Sequence, residues 1–369
     1  MNPTIKKWLR PLAARILGRH YPAVVGGIRW RRVDLQQLQP RDQPLAGLDE
    51  PHLAAMIAAT DPGHLDSLKP QRARGVRRRH NGTDTLLYAN GSKTGFVVDG
   101  ACDGIWRRCE GTQTLAEIDR QLGAPPGPEQ RAILRETVLR LYQLNLVDFP
   151  EGSPYESSDR SRIDLRQITF YVINCKGATA RRAFMEDQLQ RLGLTYKFVT
   201  AVESDPPHAG LAQSNLKILR DPAIQVPFAI LEDDCEFIDD FQHVFDVPTS
   251  ADALYLGVSR FGIEEPGAFS WGRWDNVQFI RYSDDYLRPL NMLSAHAILY
   301  VSDRYRRNAI GALDVGLTRE DFAYPSDISL ATLQASHLVV TPADPICYQS
   351  AEHDGNYDAT RFRPHDQMR

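Results

Sequence analysis

The chain lacks the marks of a membrane protein, a disulfide scaffold or a nucleic-acid binder. No stretch of its 369 residues approaches the roughly 18–20 apolar residues of a membrane span. Its five cysteines, Cys102, Cys109, Cys175, Cys235 and Cys347, are scattered and odd in number, and no Cys-x-x-Cys pair occurs. Neither a zinc site nor a disulfide framework is indicated, and reduced thiols in a cytoplasmic setting are the simplest expectation. The net charge of −4 lacks the basic excess that nucleic-acid binding usually needs. Lys6-Lys7-Trp8-Leu9-Arg10 is basic, but no uninterrupted apolar segment follows it, so a signal peptide is not expected. Ile5, Trp8, Leu9, Leu12 and Ile16 recur at helical spacing among Lys and Arg, a pattern also seen in helices that lie on anionic membranes. Pro11 interrupts it, and such stripes more often dock on their own protein; membrane contact is not expected. There is no internal repeat.

What is present is ordinary globular composition, 42% hydrophobic and 24% charged. The length predicts two or three domains, each with enough apolar residues for a core. Residues 1–65 form an extension broken by prolines and glycines, with helices expected near 4–17 and 51–59. Residues 66–149 read as a compact unit. Strands are expected around Val76, at Thr85–Tyr88 and at Gly95–Val98, with Asn81-Gly82 and Asn90-Gly91 as turn signals. A helix should begin after Asp99 and hold Ile105 and Trp106. Thr112 or Thr114 can cap a second, and Leu134, Val138, Leu141 and Tyr142 line a third. The Pro/Gly/Ser-rich segment 150–163 reads as a linker, and 164–369 as a second domain.

The first of these units resembles the PqqD-like family, also called RiPP recognition elements. The matching residues are Gly95-Phe96-Val97-Val98-Asp99, Ile105-Trp106-Arg107-Arg108-Cys109-Glu110-Gly111, Thr114-Leu115-Ala116-Glu117-Ile118, and the closing stretch Leu141 to Val147. The resemblance implies a small winged-helix-like α+β module. It would bind the leader segment of a ribosomally made precursor peptide, which adds as a strand to the sheet edge and packs against the last helix. Arg72, Arg74, Arg77, Arg78 and Arg79 would give that edge a field attractive to an acidic leader. They also serve to protect an exposed edge strand from aggregation. No basic recognition helix is evident, so DNA is not the expected partner.

In the second domain Ile168–Asn174 reads as a buried strand, 178–192 as a helix ended by Gly193, and Tyr196–Val199 as the next strand. A helix near 212–220 leads to the apolar run Val226–Ile230. This alternation predicts a largely parallel sheet. The apolar run delivers Leu231-Glu232-Asp233-Asp234 at its carboxyl end, where open α/β sheets bind ligands. Carboxylate oxygens suit Mg²⁺ or Mn²⁺, which usually share their shell with substrate phosphates. An acidic surface turn is the plainer alternative.

These segments resemble glycosyltransferase family 25, the lipopolysaccharide-type and collagen-type transferases. The shared residues are Val172-Ile173-Asn174, Arg181-Arg182, Met185, Gln188-Leu189, Leu192-Gly193-Leu194, Gly210, Ser214, Leu216 and Phe228 to Asp234. Further on come Asp252 to Gly257, Ala295 to Ser302, Asp327 and Gln349-Ser350. The implied fold is a GT-A-like, mostly parallel α/β sheet. The implied activity is metal-dependent, inverting transfer of a hexose from a nucleotide sugar, a UDP-sugar by preference. Asp234 and Glu232 would hold Mn²⁺ or Mg²⁺, with His353 as a nitrogen ligand. Arg181, Glu232, Asp233 and Asn215 would bind the donor, and Asp327 would be the general base, with Glu320 and Asp321 as alternatives. His296, in an apolar strand, reads as core. Trp271 and Trp274 are placed to stack on an acceptor or to pack internally. The sequence departs from the family at Asn215, where His is common, and at Lys176-Gly177-Ala178-Thr179-Ala180. The combined expectation is a leader-guided peptide glycosyltransferase. A cell-surface polysaccharide transferase and a non-catalytic leader-binding scaffold are the alternatives.

Overall fold

The computed structural model describes residues 30–34, 60–81, 84–89, 94–122, 128–155, 159–259, 261–262, 277–318 and 326–353. The helices expected at 4–17 and 51–59, and Trp271, Trp274, Glu320 and Asp321, lie outside the described residues. The chain divides between 157 and 158 into two compact units, inside the segment read as a linker.

The first unit contains β1 (Trp30–Asp34), α1 (Pro62–Ser67), β2 (Gln71–Arg72), β3 (Val76–Asn81), β4 (Asp84–Ala89) and β5 (Thr94–Asp99). Then come α2 (Gly100–Arg108), α3 (Leu115–Leu122), α4 (Pro128–Gln143) and β6 (Val147–Asp148). Three strands followed by three helices is the order the sequence predicts. Local chemistry sets the helix starts. Asp99 accepts from the Cys102 N–H at 2.9 Å. Thr114 and Glu117 exchange side-chain and backbone bonds, a capping box. The expected face of α4 is buried at Leu134, Val138, Leu141 and Tyr142. Trp106 closes the core by donating its ring N–H to the Leu146 carbonyl at 3.0 Å.

The sheet is antiparallel in the order β1-β5-β4-β3. Along β3 the side chains alternate. Arg78 points towards α2 and clasps buried Asp103 through two bonds of 2.6 and 2.5 Å, while exposed Arg77 takes the other face. The sequence did not foretell β1. It lies within the supposed extension, yet it pairs with β5 along all five of its residues. A five-residue segment with three charges, Trp-Arg-Arg-Val-Asp, has too little apolar alternation to read as a strand.

The second unit runs through β7 (Arg160–Asp164), β8 (Thr169–Asn174), α5 (Thr179–Arg191), β9 (Thr195–Thr200), α6 (Pro207–Leu219), β10 (Phe228–Glu232), β11 (Cys235–Phe237) and β12 (Val244–Pro248). It continues with β13 (Ala253–Tyr255), β14 (Gln278–Arg281), β15 (Tyr286–Leu290), β16 (Ala297–Tyr300), α7 (Asp303–Leu317), α8 (Ser326–Ala331), β17 (Val339–Pro342) and β18 (Cys347–Gln349). β7 pairs with β12, so the residues read as the end of the linker already belong to this unit.

Eight strands form one sheet, β14-β15-β17-β13-β16-β10-β8-β9. The pairings reverse only β15 and β16, and the other six strands share one direction. The protein is therefore a mixed α/β molecule with a large, mostly parallel sheet. Central β10 is buried throughout Phe228–Leu231, as a strand covered on both faces must be. Phe228 stacks on Tyr300 with centroids 5.2 Å apart, which fixes β10 against β16 beneath the acidic residues.

Candidate active site

Strand direction assembles the site. β8 and β10 are parallel, with Glu232 opposite Ile173, so Asn174 and Glu232-Asp233-Asp234 emerge at the same end of the sheet. Antiparallel β16 begins there, with Ala297 opposite Leu231, and the Glu232 N–H donates to the His296 carbonyl at 2.9 Å. β18 pairs with β11 and returns to the acids. The Ser350 N–H donates to the Asp234 carbonyl at 2.7 Å, and Gln349 donates to one Asp234 carboxylate oxygen at 3.4 Å.

The three acids have different surroundings. Asp233, buried, accepts from Asn174 Nδ2 at 2.7 Å and from Arg181 Nη1 at 3.0 Å. Its negative charge is therefore matched, and it anchors the Arg181 side chain reaching down from α5. Asp234, equally buried, has an Oδ1 with no partner among the described residues. Burial pushes its carboxyl up to about 6, Arg181 opposes that shift and Asp233 reinforces it. The Glu232 carboxyl lies well above the ordinary range, raised first by burial and then by the Asp234, Asp327 and Asp233 charges, against Arg181.

Asp327, on α8, is thus within electrostatic reach of Glu232. Burial raises its carboxyl, opposed by bonds from the backbone N–H groups of Ile328 and Asp327 and by His208 on α6. Its Oδ1 accepts from its neighbour Ile328 at 3.0 Å. The bond comes from the adjacent N–H and not from one two or three residues on, so Asp327 does not serve as an N-cap. The charges of Asp234, Asp327 and Asp233 all disfavour ionised Glu232, and a cation beside these acids would relieve that.

Asn215 and His353, also expected at the site, make contacts with other groups. Asn215 is buried in α6 and donates back to the Leu211 carbonyl at 3.0 Å, within its own helix. The His353 ring packs on Phe184 of α5 at 4.3 Å. Among the described residues no three His, Cys, Asp or Glu side chains gather as a metal-binding group. His296 is core, as read from the sequence. Its Nδ1 meets Ser294 Oγ at 3.0 Å, and burial pushes its pKa down to about 4. Asn174, His208 and Gln349 were not singled out as functional. Asn174 and Gln349 appeared only as strand-end matches, and His208 gave no signal because its tie to Asp327 depends on α6 meeting α8.

No family model and no curated protein matches the chain. Among solved structures it is similar to the heterocyclase TruD, with 16% identity and a TM-score of 0.20 over 45% of this chain and 26% of that one. A heterocyclase in complex with substrate and cofactor gives 14% identity and a TM-score of 0.20, over 50% and 26% of the two chains. A nucleoside-diphosphate-sugar pyrophosphorylase from Vibrio cholerae RC9 gives 10% identity and a TM-score of 0.28, over 51% and 76%. The chain spans about a quarter of the length of the heterocyclases it matches. The mixed α/β architecture rests on the strand pairings themselves. No helix among the described residues is long and apolar enough to cross a membrane.

Proposed function

We propose that the second unit is a metal-dependent, inverting glycosyltransferase of the GT-A type that uses a nucleotide sugar, and that the first unit is a PqqD-like module presenting a precursor peptide through its leader. The observation that carries the reading is the unpartnered, buried Asp234 Oδ1 among the Glu232 and Asp327 carboxylates, with Arg181 alongside. An orphaned carboxylate oxygen fits Mn²⁺ or Mg²⁺. Such a cation takes its remaining ligands from donor phosphates and water. Asp234, with Glu232, would hold the ion, which when bound neutralises charge on a departing diphosphate.

Arg181 offers a guanidinium to the same phosphates, oriented by Asp233. Asp327 takes the proton of the acceptor hydroxyl, and its burial-raised basicity suits that task. The acceptor oxygen then bonds to the anomeric carbon as the bond to the diphosphate oxygen breaks, and the nucleoside diphosphate leaves with the electron pair. Such a displacement inverts the anomeric centre. Leader capture in the first unit would raise the local concentration of the core peptide, so a weak acceptor site suffices.

The test is transfer from UDP-glucose or UDP-galactose to a precursor peptide, read by mass spectrometry. The expected result is glycosylation that falls at least tenfold with leaderless peptide and disappears in Asp234→Ala. Equal turnover of both peptides would remove the recognition role. Activity on glycan acceptors alone would favour the polysaccharide transferase.

A further inference from the structure

The sheet of the first unit has two edges, β1 and β3. Strands β3, β4 and β5 are neighbours in sequence and pair in order. β1 comes from far upstream, beyond a gap of 59 residues between Asp34 and Thr94. In the described ladder it pairs with β5 alone, antiparallel, from Trp30 opposite Val98 to Asp34 opposite Thr94. A strand of five residues joined through one ladder is less secured than one paired on both sides. The strand it covers is firmly held: Phe96 and Val98 belong to the core, and Asp99 caps α2. The β5 edge is thus a rigid strand-accepting surface whose present occupant is supplied by the chain itself.

We propose that β1 is an exchangeable occupant of the β5 edge, which an incoming extended peptide must displace. The proposal rests on the peptide-presenting role above and adds its regulation. Because β1 is tethered, it competes at an effective concentration of about millimolar order. A peptide that pairs as well as β1 does would bind only weakly until β1 is released.

The experiment uses a labelled peptide of residues 27–37, Gly-Ile-Arg-Trp-Arg-Arg-Val-Asp-Leu-Gln-Gln, added to the full chain and to the double variant Arg32→Pro/Val33→Pro. Neighbouring N–H groups of a strand point to opposite sides, so one of the two prolines always removes a donor facing β5. The expected result is binding at least tenfold tighter to the variant. Amide exchange at Gly95–Val98 should be protected in the parent chain, lost in the variant and restored by the peptide. Equal binding to both proteins, with unchanged exchange at β5, would overturn the proposal.

Should the double variant fail to keep α4 protected, Arg31→Cys/Val97→Cys supplies the answer, since Arg31 lies opposite Val97. Its oxidised form should refuse the peptide and its reduced form should accept it, and equal binding again refutes the idea. Failure of the presenting role would look different. The peptide 27–37 would still exchange at the edge while no precursor leader bound. A leader that bound parent and variant equally would sink the exchange and leave the role intact.

Discussion

Asp234→Asn should stabilise the protein at neutral pH in the absence of metal, which is unusual for removing a buried, hydrogen-bonded acid. The carboxyl is pushed from 3.8 to about 6 by burial. Two pH units correspond to about 3 kcal/mol of penalty on the ionised native state. The folded value is raised, so the native state holds the proton more tightly than the unfolded chain. Stability attributable to this group is then greatest below about pH 4, falls as pH rises towards about 6, and is flat above. Asn is neutral throughout and keeps an oxygen for Gln349. It still leaves a buried polar group without a partner, which returns about 1 kcal/mol or more. The net gain is about 1–2 kcal/mol at pH 7.5, or about 2–8 °C in the transition of the second unit. Differential scanning calorimetry of both proteins at about pH 4 and pH 7.5 reads this directly. The gain should be present at the higher pH and absent at the lower. Mn²⁺ with UDP should raise the parent transition and leave the variant unmoved. A variant less stable than the parent at pH 7.5, or an equal gain at both pH values, would refute the argument that this end of the sheet is a frustrated cluster of charge.

Two further outcomes test packing, one in each unit. Gly257→Ala should destabilise the second unit by about 1–3 kcal/mol in denaturant titrations, because a Cβ there would overlap the buried His296 ring; unchanged stability would mean that the ring is free to move. Arg78→Ala should cost about 1–2 kcal/mol, discounted because the arginine is partly exposed, since it strands buried Asp103. The Arg78 bond holds the Asp103 carboxyl below its usual value, so this cost is complete above about pH 4 and shrinks as pH falls through the lowered native value; a pH-independent cost would point to packing alone.

Much of the second unit was legible because its elements obey local rules. Thr169–Asn174 and Phe228–Leu231 are continuous apolar runs that only a covered strand tolerates, and Gly193, at φ 65°, ends α5 as expected. The acids at the end of β10 were visible for the same reason, because they end a run that is otherwise apolar. The expected helix near 212–220 begins earlier, at Pro207, where proline fits the first turn. What sequence could not give was the division of labour among the acids. That Asp233 is bonded by Asn174 and Arg181, while Asp234 Oδ1 has no hydrogen-bond partner among the described residues, depends on where α5 packs over the ends of β8 and β10. Likewise the Asn215 amide turns into its own helix and the His353 ring lies on Phe184, both settled by tertiary neighbours. β1 was hidden because its pairing partner, not its composition, makes it a strand.

The central claim, that the Asp234 cluster is a metal–nucleotide site, is tested most directly by calorimetric titration of UDP into the full chain with Mn²⁺, with EDTA, and with Asp234→Asn in place of the parent. The account predicts binding that requires Mn²⁺ and is lost in the variant. Binding of equal strength in EDTA or in the variant, or no binding of UDP under any of these conditions, would contradict it.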